Sequence, residues 1–181
     1  MLIHPDRSLL LLVDIQERLA PAIDDAQQLI DNCCWLTDVA NRLHIPVIAS
    51  EQYPQGLGPT FEVLRRRLPD EQIFSKQAFS CASEPECAAA IEQLKMGQII
   101  IAGMETHVCV LQTALELKQQ AREVFVVEDC VGSRTPANKA AGIERLRQNG
   151  VQIVTREMVA FEWLRKAGND RFREISREFL R

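Results

Sequence analysis

The chain has 181 residues, 46% of them hydrophobic, and a formal net charge of −4 from 21 basic and 25 acidic side chains. That length fits one ordinary domain with a sizeable core, read here as a single unit over residues 1–181. The small acidic surplus points away from nucleic acid or a membrane surface as partner, and no apolar run approaches the roughly 20 residues of a membrane span.

The first element, SLLLLVD at 8–14, reads as a buried strand. The apolar stretch is too short for a signal peptide and lacks a small-residue cleavage site, so a cytoplasmic location is expected. Residues 24–43 have helical spacing, with Leu29, Cys33, Leu36, Ala40 and Leu43 on one side. Pro46 opens a second strand, PVIAS, and a Gly/Pro-rich loop, EQYPQGLGPT, follows it. The basic triplet Arg65-Arg66-Arg67 fits a solvated face. Residues 72–75 form a short strand candidate. Ser83 stands three residues before Glu86, the spacing of a capping box, and predicts a helix running to about Gly97.

QIIIA at 98–102 is a further apolar strand, and 108–121 is helical, with Thr106 placed to cap it. EVFVVE at 123–128 is the next strand. Thr135-Pro136 opens a helix that stops at Asn149-Gly150. VQIVT is the last strand, and a charged helical tail runs from 156. Strands apolar on both faces, alternating with helices, predict a parallel sheet of five or six strands in a three-layer α/β/α sandwich. Ligands in such folds bind beyond the carboxyl ends of the strands.

Asp14, Lys76 and Cys109 fall near such ends. A thiol in the first turn of a helix feels the positive end of the dipole, and the free amides there can hold an oxyanion. These influences, with the Lys76 charge, predict a stabilised thiolate at Cys109. Asp14 is placed to take and return a proton. Each residue also has an ordinary explanation: a small core cysteine, an Asp capping a turn, an exposed lysine. His107, two residues from Cys109, points elsewhere on a helix and is a poor general base for it. Ser133 and Arg134, in VGSRTP, read as the launch of the next helix. Among the other cysteines, Cys33, Cys34 and Cys87 sit in helical patterns, while Cys81 and Cys130 are left as possible redox partners of Cys109. The six show no CxxC pair and no zinc-like spacing, so no disulfide framework is expected.

LLLLVDIQERL, IFSKQAFSC, IIIAGMETHVCVLQTALEL and VVEDCVGSRTPANKAAGIERLRQNGVQIVT together resemble the isochorismatase-like cysteine hydrolases. SEQYPQGLGPT looks most like the isochorismatase domain-containing subgroup. The resemblance runs to about residue 160. It implies a Rossmann-like α/β/α sandwich with a mostly parallel six-stranded sheet. It carries the catalytic Asp, Lys and nucleophilic Cys onto Asp14, Lys76 and Cys109. It also implies a cis Met104–Glu105 peptide, an oxyanion hole from the amides of Glu105 and Cys109, and self-association through apolar groups such as Phe161, Trp163, Leu164, Phe172 and Phe179.

Two departures shape the expected activity. Metal-containing relatives carry an Asp and two His after the second strand, where this chain has Ser50-Glu51-Gln52-Tyr53-Pro54, so no metal and no other cofactor is expected. Isochorismate-cleaving members typically lack the cysteine. The resemblance therefore implies a cysteine amidohydrolase acting on a small-molecule amide or related C–N bond, with Gln16, Glu51, Tyr53 and Phe79 as candidate pocket residues. A binding protein of the same fold without turnover and a redox-sensing thiol protein are the alternatives.

Overall fold

The computed structural model describes residues 1–180; Arg181, the last residue of the expected unit, lies outside the described residues. Six strands form one sheet: β1 (Ser8–Val13), β2 (Val47–Gln52), β3 (Ile73–Lys76), β4 (Gln98–Met104), β5 (Glu123–Gly132) and β6 (Gln152–Val154). Their order is β3-β2-β1-β4-β5-β6, and every pairing is parallel. The helices are α1 (Ala26–Arg42), the short α2 (Pro54–Leu57) and α3 (Glu62–Arg65), α4 (Pro85–Gln93), α5 (Leu111–Gln119), α6 (Pro136–Gln148), α7 (Arg156–Leu164) and α8 (Asp170–Phe179).

Period-two alternation along each strand divides the core between two layers. On β1, Leu10 and Leu12 face α1 and α7, where Leu36, Val39 and Trp163 are buried. Leu9, Leu11 and Val13 face α4, α5 and α6, against Ile91, Leu117 and Leu146. Both faces of β1 and β4 are thus covered, which is why each reads as an uninterrupted apolar run. The chain reverses its order between β1 and β4, opening a crevice at their carboxyl ends.

Several local expectations are corrected. Ser83 does not cap α4: the helix begins at Pro85 after Glu84, and Ser83 Oγ donates to Glu116 at 2.6 Å. That helix stops at Gln93, short of Gly97. Thr106 does not cap the next helix either. The chain leaves β4 through one wide π turn, Thr106–Val110, and the Thr106 hydroxyl is buried without a partner among the described residues. β5 runs to Gly132, because its register against β4 slips between Ile101 and Gly103. Thr135 does cap α6, its hydroxyl accepting from the Asn138 amide. The C-terminal segment closes on its own chain. Trp163 is buried and donates to Ser8 Oγ at 3.0 Å, Leu164 is buried, and Phe172 and Phe179 pack on the core. Of the five apolar groups expected to face a partner, only Phe161 is well exposed, at 47%.

Candidate active site

Four chain segments meet at the carboxyl ends of β1 to β4. Asp14 follows β1 in a left-handed conformation (φ 53), which Asp tolerates better than most residues, and its amide donates to Ser50 O. Lys76 ends β3, and Cys109 lies in the wide turn after β4. All three are removed from water, at 0%, 1% and 5% exposure. Lys76 Nζ stands 2.8 Å from Asp14 Oδ2, as an ion pair not aligned as a hydrogen bond. Ser50 Oγ donates to Asp14 Oδ1 at 2.7 Å. The Cys109 thiol lies close enough to Asp14 for the carboxylate to raise its pKa. The sequence-predicted trio is therefore brought together.

Two neighbours escaped the sequence reading. Gln52 Oε1 accepts from Lys76 Nζ at 2.5 Å and lies 4.0 Å from Cys109 Sγ. Its Nε2 donates to Gln77 O, and the Lys76 ammonium also reaches the carbonyls of Ala78 and Phe79. Ser50 and Gln52 share the Ile48 face of β2, which turns toward Cys109. Glu51 therefore points the other way. It accepts from the Thr60 amide at 2.7 Å and faces Arg65 at 3.6 Å, so its carboxylate holds the loop.

Burial raises the Asp14 pKa above 3.8, although Lys76, Ser50 and Cys109 pull it down. Burial would lower Lys76, but Asp14 and the nearby Cys109 and Cys81 thiols raise it. Burial pushes the Cys109 thiol up, reinforced by the Asp14 anion and only partly opposed by Lys76. This overturns the expected resting thiolate: the desolvation cost exceeds the attraction of the lysine. Cys109 therefore rests as the thiol.

The remaining candidates divide. Gln16 is buried and spends its amide on Gln52 and Gly58, bracing the loop. Tyr53 and Phe79 are exposed, at 51% and 54%, on the segments that follow β2 and β3. The Met104–Glu105 peptide is cis. The Glu105 carbonyl accepts from the amides of Val108 and Val110, while the Glu105 amide donates no hydrogen bond among the described residues. His107 Nδ1 lies 3.0 Å from Ser133 Oγ. Cys81 is buried on the Cys109 side of the sheet, its thiol lowered chiefly by a hydrogen bond with Cys87. In the opposite layer the free Cys33 thiol donates to the Cys130 carbonyl at 3.4 Å. A surface cavity of about 190 Å³ lies beyond β5, lined in part by Asp24, Asp129 and Lys139, and does not reach the trio. Among the described residues, no three His, Cys, Asp or Glu side chains are grouped to hold a metal.

The isochorismatase domain model matches residues 8–158. The mouse isochorismatase domain-containing protein 2A is 32% identical, over 97% of this chain and 84% of its own. The MAR1 ribonuclease structure from Caenorhabditis elegans superposes with a TM-score of 0.92 at 32% identity, covering 100% of this chain and 93% of that one. The YcaC gene product of Escherichia coli, described as an octameric hydrolase of unknown specificity, gives 0.87 at 27% identity, covering 91% and 83%.

Proposed function

Since the chain belongs to the isochorismatase family, we propose that it is a cysteine hydrolase of a small amide or related C–N bond, with Cys109 as nucleophile. The observation that carries this reading is the gathering of buried Cys109, Asp14 and Lys76 at one crevice, with Asp14 paired to Lys76 at 2.8 Å. Sulfur attacks the carbonyl carbon as its proton passes to Asp14. The oxyanion is held by the amides of Glu105 and Cys109. Asp14 protonates the leaving nitrogen as the C–N bond breaks. Water then attacks the thioester, gives a proton to Asp14, and releases the acid; the proton returns to sulfur. A carboxyl group raised by burial suits both directions of transfer. Lys76 steadies the carboxylate throughout. We assign the entrance for a small substrate to Tyr53 and Phe79, which are exposed on the segments that follow β2 and β3.

We also read residues 1–181 as one catalytic unit that assembles with copies of itself, as the octameric Escherichia coli neighbour does. The ribonuclease description of the nematode neighbour gains no support here. The net charge is −4, and Arg134, the cation beside the turn, is already paired with Glu105.

The test is acylation by a small activated ester, mapped by mass spectrometry. Acyl label is expected on Cys109, and Cys109→Ala should abolish both label and turnover. Asp14→Asn should slow acylation roughly 10²–10⁴-fold, the usual size of general acid–base help. A wild-type protein that stays unlabelled at Cys109 and turns over no small amide would favour a binding role instead.

A further inference from the structure

The loop between β5 and α6 does more than start a helix. Arg134 lays its guanidinium along the Glu105 carboxylate, with Nε 3.0 Å from Oε2 and Nη2 3.2 Å from Oε1. The Glu105 side chain is nearly buried, at 8%, while that of Arg134 is 62% exposed. One residue earlier, buried Ser133 holds His107 Nδ1 at 3.0 Å, and its own carbonyl accepts from the Asp24 amide. α6 closes the grip: a methyl group on Gly142 would lie 3.1 Å from the His107 Cα, so the helix rests directly on the turn. The Glu105 carbonyl is fixed by two amides from within the turn. Its side chain is fixed from outside by Arg134, and its N–H donates no hydrogen bond among the described residues.

We propose that Arg134 is a positioning residue for hydrolysis, which orients the Glu105 amide toward the oxyanion by clamping the Glu105 side chain. This rests on the reading of Cys109 as nucleophile. The pair is open to water only on the Arg134 side, so Arg134→Ala leaves a nearly buried carboxylate unpaired, whereas Glu105→Gln removes the contact without stranding a buried charge. A forked guanidinium–carboxylate contact fixes orientation. With Glu105→Gln the consequence of losing it should therefore fall on the reaction and spare the fold.

Two reactions of the same sulfur separate these effects. Acetylation by 4-nitrophenyl acetate passes through a tetrahedral oxyanion; alkylation by iodoacetamide does not. Arg134→Ala and Glu105→Gln should each slow Cys109 acetylation about 10–100-fold, the scale of a misplaced oxyanion donor. Alkylation rate should be unchanged in both, Glu105→Gln should keep the wild-type melting temperature while Arg134→Ala lowers it, and the double variant should be no slower than either single one, as expected of one shared contact. Equal slowing of both reactions, or of neither, overturns the positioning role while leaving Cys109 as nucleophile. Absence of acetyl label on wild-type Cys109 overturns the nucleophile reading and this inference with it.

Discussion

A carboxylate with no solvent exposure, such as Asp14, keeps its charge only because Lys76 stands 2.8 Å away. Removing one partner leaves the other stranded. Lys76→Met should cost about 3–5 kcal/mol near neutral pH. The pH dependence has a defined sign. The folded-state pKa of Asp14 is already raised above the 3.8 of the free group, so the protonated form is the one that folding favours. Its contribution is complete below 3.8 and lost as pH rises through the folded value. Without the lysine charge that value climbs further, so the variant should recover stability on acidification from pH 7 to about 5. Urea unfolding of both proteins at those two pH values checks this, and a gap that does not narrow in acid would contradict the pairing. Asp14, Lys76 and Cys109 were legible from the motifs around them. Ser50 and Gln52 were not, because they flank Glu51, whose charge makes it the more conspicuous member of the stretch. Strand alternation was the available signal: it places 50 and 52 together and turns 51 away. The thiolate expectation failed for a different reason. A sequence displays charges and a helix start, but not the degree of burial that outweighs them at Cys109.

Among the elements, the contact between β1 and β4 fixes how Asp14 approaches the turn that carries Cys109. Val13 pairs with Gly103, and Gly103 has φ +124. A methyl group there would fall 2.0 Å from the Val13 carbonyl oxygen. Gly103→Ala combines a forbidden backbone region with a backbone clash in the sheet centre, so it should destabilise by about 4 kcal/mol or more. Chemical denaturation, or soluble yield if the loss is complete, measures it; a variant that unfolds like wild type would mean the strands can separate there. Element types along the chain were legible because apolar periodicity is strong in both strands and helices. The ends were less so. Thr106 and Ser83 have capping chemistry, but Ser83 is drawn to Glu116, and the wide turn leaves Thr106 inside. The long reach of β5 depends on a register slip against β4, a relation between two strands that neither strand's own pattern contains.

In the whole molecule, strand order decides which side chains can meet. Placing β1 beside β4 puts residues 14 and 109 across one crevice, and β2 and β3 bring Gln52 and Lys76 in from the other side. That order was not legible, since each crossover helix can lie on either face of a sheet. The two-sided apolar strands still announced that both faces are covered. The assembly surface is also a property of the folded whole. α8 lies on α1, with the Trp35 and Phe179 rings edge to face and Trp35 Nε1 bonded to the Phe179 carbonyl, so most apolar groups of the C-terminal segment are spent inside the chain. Met158 and Phe161, 46% and 47% exposed and one turn apart on α7, are not. Glu162 holds the Ile3 amide at 2.6 Å, which brings exposed Met1 and Leu2 out beside the same helix. Single exposed apolar residues are common, but exposed apolar side chains one turn apart on a helix are the kind of surface that copies of a chain cover. Light scattering at micromolar concentration should therefore give a mass above that of one chain, and the double variant Met158→Glu/Phe161→Glu should lower it without loss of helical signal. A wild-type protein that stays at the mass of a single chain, or an assembly that tolerates both charges, would remove α7 from the interface.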